Sequence, residues 1–151
     1  MPQSLAQIYL YIVFSTKNRQ PFFHDTVFSK ELHAYLAGIC RKQNCLAKLI
    51  GGYADHVHLL CSLSRNKTVA DLIQELKTSS SVWIKKQKPE WENFHWQDGY
   101  GVFSVSSSQR MKVDEYINNQ SEHHRTVPFC DELRTLLNKH GVDFDEQYVW
   151  E

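Results

Sequence analysis

The spacing of apolar residues alternates between two periods along this chain. QIYLYIVFST, Gln7 to Thr16, is β-branched and aromatic and predicts a strand. A polar exit with Pro21 follows. Val27, Phe28, Leu32, Leu36, Ile39 and Cys40 then recur at helical spacing between Thr26 and Gln43, with Asp25 placed as N-cap. CLAKLIGGYADHVHLLCSLS predicts two strands, about Leu46–Tyr53 and His56–Leu63, joined tightly at Ala54 and Asp55. Val69, Leu72, Ile73, Leu76, Ser80 and Trp83 form the stripe of a second helix, capped by Thr68 and ended near Pro89. FHWQDGYGVFSVS predicts a strand pair or a bulged strand turning at Asp98–Gly99. SQRMKVDEYINNQSEHH predicts a third helix, and DELRTLLNKHG a fourth, closed by Gly141. The order β-α-β-β-α-β, with helices added at the C-terminal end, predicts an α+β, ferredoxin-like antiparallel sheet with helices on one face.

No internal repeat or linker interrupts this pattern, and 151 residues suit a single domain, residues 1–151. With 42% hydrophobic and 23% charged residues the chain is too apolar for disorder. No apolar run approaches the roughly 18 residues of a membrane span. The N-terminus lacks a basic n-region and a small-residue cleavage site, and the four cysteines form no CxxC pair. A reduced, cytoplasmic protein is therefore expected. Net charge is zero, which does not advertise nucleic-acid binding. Its distribution does allow a local basic face: residues 1–50 carry six Lys/Arg against two Asp/Glu, and residues 101–151 five against nine.

The candidate chemistry starts at His56 and His58. Residues i and i+2 of a strand share a face, so these imidazoles project together, about 7 Å apart at the backbone, and can converge on one ion. Structural histidines at a sheet edge are the alternative, in a chain with eight histidines. More ligands would be needed. Tyr116 and Gln120 stand i and i+4 on the third helix and share its face. A phenol is a possible nucleophile and an amide oxygen a possible hard ligand. A core aromatic and simple surface polarity are the alternatives. His123 and His124 could serve instead, although adjacent helical residues point about 100° apart. Lys17, Arg19 and Lys77 are either phosphate contacts or a solvated basic face. Trp96 and Tyr100 are core aromatics or base-stacking platforms. Asp55 reads as a turn residue.

DHVHLL followed by YINNQ resembles the HUH single-tyrosine transposases, which include the REP-associated tyrosine transposases and small insertion-sequence transposases. FSTKNRQPFF, ELKTSSS and WQDGY extend the resemblance over about Ile8 to Gln120. It implies His56, His58 and Gln120 as ligands of a divalent metal, and Tyr116 as nucleophile. It further implies a homodimer acting on single-stranded DNA, often folded as a hairpin. The acidic C-terminal third departs from a typically basic DNA-handling chain. The expected activity is a metal-dependent DNA transposase that cleaves and rejoins strands through a 5′-phosphotyrosine. Imidazoles suit several transition metals, whereas amide and phosphate oxygens favour Mg²⁺ or Mn²⁺. The alternatives are a nicking nuclease of the same chemistry and a non-catalytic nucleic-acid-binding module. The apolar strand IYLYIVF, with no partner assigned, adds a sheet edge that a second copy could pair.

Overall fold

The computed structural model describes residues 2–124 and 127–151. Four strands form one antiparallel sheet: β1 (Tyr9–Ser15), β2 (Ala47–Tyr53), β3 (His56–Ser62) and β4 (Gly101–Val105). Their spatial order is β2-β3-β1-β4, the ferredoxin-like arrangement. Between the strands run α1 (Thr26–Lys42) and α2 (Val69–Lys85); after β4 come α3 (Arg110–Asn118), α4 (Gln120–His123) and α5 (Phe129–Lys139). Among the described residues no helix is long and apolar enough to cross a membrane.

The helix starts follow their caps. The Asp25 carboxylate accepts from the Val27 and Phe28 amides at 2.9 and 3.4 Å, and Thr68 Oγ1 accepts from the Asp71 amide at 3.1 Å. One face of the sheet is apolar throughout. Leu10, Ile12 and Phe14 of β1 and Val57, Leu59 and Cys61 of β3 pack against Leu32 and Leu36 of α1 and Leu72 and Leu76 of α2. Each such side chain contributes about 1.5–3 kcal/mol on burial. The opposite face carries a smaller cluster: Tyr11, Val13 and Phe103 meet Phe129, Leu133 and Leu137 of α5.

Several expectations change. Helices cover both faces rather than one, because α3, α4 and α5 fold back across the second face. β1 lies inside the sheet, paired with β3 and β4, so its apolar run marks burial and not a free edge. The edges are β2 and β4. The segment before β4 is not a strand pair; it holds an isolated bridge between Thr16 and Trp96. Trp96 is core, its indole N–H donating to Ser80 Oγ at 2.9 Å, whereas Tyr100 is exposed. Ile84 completes the buried stripe of α2, and Trp83 stacks at its margin on Phe28 and Tyr35. The third predicted helix breaks at Asn119, giving α3 and α4.

A candidate metal and tyrosine site under the C-terminal helices

His56 and His58 open β3 with Val57 between them. The register sets His56 opposite Ser15 and His58 opposite Val13 on β1, and Gly51 of β2 opposite His58. Both imidazoles are fully buried on the face that α3–α5 cover. Gly51 lets that cover close. A Cβ there would meet Ile117 Cγ2 at 2.6 Å and the Ile117 carbonyl oxygen at 2.8 Å. The backbone of α3 therefore rests on β2, with Tyr116 and Gln120 either side of the contact.

Each imidazole is oriented through its Nδ1. Asp55 Oδ1 lies 2.7 Å from Nδ1 of His56, and the Tyr11 hydroxyl hydrogen-bonds Nδ1 of His58. This leaves both Nε2 atoms facing inward, a carboxylate or hydroxyl behind each ring being the usual support of a ligating histidine. Asp55, read as a turn residue, thus directs His56. Tyr11 could have been found from strand alternation, since it shares a face with His58 two register positions away.

The largest departure from the sequence reading is Glu132. Its buried carboxylate enters from the first turn of α5. Oε1 lies 3.0 Å from His58 Nε2, 2.9 Å from His124 Nε2 and 3.7 Å from His56 Nε2. Oε2 accepts from the Tyr116 hydroxyl and, at 3.1 Å, from the Gln120 amide; His123 Nε2 stands 3.2 Å away. Ligand atoms of His56, His58, His124 and Glu132 all lie within 4.8 Å of one another. A weak signal was present: Glu132 stands three residues after Phe129 and four before Leu136, along the inward side of an amphipathic helix.

These contacts set the charges. Burial would raise the Glu132 pKa, but hydrogen bonds from His124 and His58, and the charge of His58, outweigh it and hold the carboxyl below the usual range. Burial lowers His58 to about 4, against the pull of Glu132. Burial, then the hydrogen bond and charge of Glu132, raise Tyr116, so its phenol is held neutral.

The donor set suits a cation. With the Asp55 carboxylate at Nδ1, the neutral tautomer of His56 that fits this contact has its proton on Nδ1 and a lone pair at Nε2. Gln120 turns its amide nitrogen to Glu132, so its oxygen Oε1 faces that lone pair at 3.1 Å. Two acceptors face each other there, and either a second proton or a metal ion must lie between them.

A family model described as "Transposase IS200 like" matches residues 4–120. The chain belongs to the IS200-like transposase family. It is 29% identical over 73 residues to the ISDra2 transposase TnpA of Deinococcus radiodurans, a match covering 45% of this chain and 52% of that protein. The chain thus spans about half the length of this curated relative. Among solved structures, a chain of Deinococcus radiodurans R1 assigned as a transposase superposes with a TM-score of 0.62 at 23% identity, covering 80% of this chain and 95% of that one. A REP-associated tyrosine transposase bound to a REP hairpin gives a TM-score of 0.61 at 13% identity, covering 84% and 74%. Both likenesses concern the fold. The family segment ends at Gln120, so His124 and Glu132 lie beyond it.

The basic residues have other partners. Lys77 Nζ donates to the carbonyls of Gln97, Asp98 and Gly99 at 2.7, 3.2 and 2.6 Å, and burial lowers its pKa to about 8. It clamps the turn before β4. Arg19 Nη1 donates to the Trp150 carbonyl at 2.8 Å. Lys17 is exposed. A cavity of about 750 Å³ opens beside the site, lined by Tyr11, Tyr116, Glu132, Lys112, Lys139 and His140 among others.

Proposed function

We propose that this IS200-like chain is a metal-dependent DNA strand transferase in which Tyr116 is the nucleophile and His56, His58 and Gln120 bind a divalent ion. The observation that carries the reading is the meeting of these four side chains. Residues 64 apart in sequence come within 3.1 Å, His56 Nε2 to Gln120 Oε1, and the Tyr116 ring lies 6.0 Å from that of His58. When bound, the ion neutralises charge on a scissile phosphate and holds it in line. Mg²⁺ or Mn²⁺ suits phosphate and amide oxygens. Asp55 and Tyr11 keep the imidazoles aimed. Attack by the Tyr116 oxygen on phosphorus forms a 5′-phosphotyrosine and releases a 3′ hydroxyl. The phosphodiester energy is kept in the link, so another 3′ hydroxyl can displace the tyrosine and rejoin the strand.

The substrate class is single-stranded DNA, hairpin-forming by likeness to the hairpin-bound neighbour. The cavity beside Tyr116 has room for a nucleotide next to the cleaved bond, with Lys112 and Lys139 available to its phosphates. Lys17, exposed after β1, carries the phosphate-contact reading; at Arg19 and Lys77 a phosphate would have to displace carbonyl partners. The protein acts as a cytoplasmic homodimer on family grounds. Sedimentation at micromolar concentration tests this, and a strictly monomeric species rules it out.

Incubation with labelled single-stranded REP-type hairpin DNA and Mn²⁺ tests the chemistry. A covalent adduct is expected, mapped by mass spectrometry to the peptide holding Tyr116, and absent in Tyr116→Phe. An adduct on another tyrosine overturns the assignment. Cleavage with no adduct means a metal-activated water nuclease.

A further inference from the structure

We propose that Glu132 and His124 are themselves metal ligands, so that the DNA-free protein holds its ion among three imidazoles and a carboxylate. The inference rests on the reading of His56 and His58 as a metal pair. It adds two residues from beyond the segment that the family model matches.

Geometry carries it. Glu132 Oε1 is within 3.0 Å of His58 Nε2 and 2.9 Å of His124 Nε2, with His56 Nε2 at 3.7 Å. One carboxylate oxygen thus faces three ring nitrogens, and ligand atoms within 4.8 Å of one another need only side-chain shifts to reach about 2.0–2.2 Å from a common ion. His124 and Glu132 are nearly as enclosed as the β3 pair, with side-chain exposures of 2% and 1%. The ring of His124 packs 4.2 Å from that of His56 and is backed by Tyr53 at 5.7 Å, which fixes its direction. Gln120 supports the carboxylate through its amide nitrogen at 3.1 Å while its oxygen faces His56.

The set has a chemical consequence. Three imidazoles and one carboxylate favour Co²⁺, Zn²⁺ or Mn²⁺ over Mg²⁺, which prefers oxygen ligands and retains its waters. The second carboxylate oxygen of Glu132 holds the Tyr116 hydroxyl, so the residue that completes the resting metal site also positions the resting nucleophile.

The test uses the metal-stripped full chain titrated with Co²⁺ alone, without DNA. X-ray absorption of the wild-type complex should count three imidazoles, a readout that needs no variant to fold. Glu132→Gln and His124→Ala should each weaken Co²⁺ binding at least about tenfold, since even loss of a residue that only hydrogen-bonds a metal ligand costs about 10–100-fold. Melting in chelator confirms that each variant is folded. Mg²⁺ in large excess should fail to displace Co²⁺. Two imidazoles in the wild-type spectrum, with wild-type affinity in folded Glu132→Gln and His124→Ala but loss in His56→Ala and His58→Ala, overturns this inference and leaves the proposed metal pair standing. Unchanged binding in all four variants overturns both.

Discussion

On the face that α1 and α2 cover, β1 contributes Leu10, Ile12 and Phe14, and β3 contributes Val57, Leu59 and Cys61. On the other face the same two strands contribute Tyr11 and Val13, then His56 and His58. Strand period two lets one segment serve both. The first face buries hydrocarbon and aromatic rings. The second, beside its smaller apolar cluster, gathers a buried carboxylate, three enclosed imidazoles, an amide, the buried Tyr11 phenol and the half-buried Tyr116 phenol, groups whose desolvation opposes folding unless each is paired. A site of that kind needs a scaffold whose stability comes from elsewhere, and here it lies only one peptide bond away along β3.

If stability and chemistry are divided between the faces, substitutions should separate them. The largest effect belongs to the polar face. His56→Ala and His58→Ala should each cut divalent-ion-dependent cleavage by about 10²–10³-fold or more, the scale seen when one charge-stabilising group is lost. Full activity of both variants in excess chelator would break the comparison at its centre. Leu36→Ala on the dry face should do the reverse. Leu36 is fully buried, so the cavity left behind should cost about 2–5 kcal/mol in denaturant melts. Cleavage per folded molecule should stay at the wild-type level. A selective loss of activity there would mean that the dry face tunes the site.

Gly51→Ala sharpens the boundary between the two. Its Cβ would press on Ile117 Cγ2 and on the Ile117 carbonyl, so α3 must lift from β2. Overpacking of this kind costs about 1–3 kcal/mol. Tyr116 and Gln120 flank that contact, and their displacement should lower activity further than the stability change explains. Activity and melting temperature that fall in proportion would show α3 to be insensitive to this seat.

The fold was legible where periodicity and caps agreed, as in α1 and α2 with Asp25 and Thr68. The pair His56 and His58, and the one-turn step from Tyr116 to Gln120, were legible because local spacing is all they need. Glu132 and Asp55 were not, because one acts through a partner distant in sequence and the other is concealed by an ordinary turn role; Tyr11 was within reach of strand alternation, once β1 is paired with β3. Glu132 reaches His58 across 74 residues, and nothing in DELRTLLNKHG says which β-strand face α5 will cover. The break at Asn119 was hidden for a related reason. Helical spacing continues through it, while packing of α3 and α4 against β2 decides where the chain bends. Lys77 and Arg19 were placed by charge alone, and tertiary carbonyl partners compete for both.

The smallest effect probes a titratable weak point on the α1 side. His33 lines a cavity of about 350 Å³ with Gly51, Gly52, Ile117 and Gln120, where the edge of β2 joins the two faces. Burial lowers its pKa to about 4, from an unfolded value of 6.5. The folded protein therefore keeps His33 neutral between those values, whereas the unfolded chain takes up a proton. Unfolding binds protons in that window, so stability falls as pH drops from 6.5 toward 4. At pH 5 the loss from this residue should be about 1–2 kcal/mol. His58 shifts in the same direction, and the carboxylates respond at lower pH, so the wild-type curve alone is a mixture. Those groups are common to wild type and His33→Gln, and the difference between the two melting curves isolates His33. That difference should grow as pH falls, with the variant gaining relative stability in acid. Parallel curves from pH 7 to 4 would mean that His33 takes its proton in the folded state.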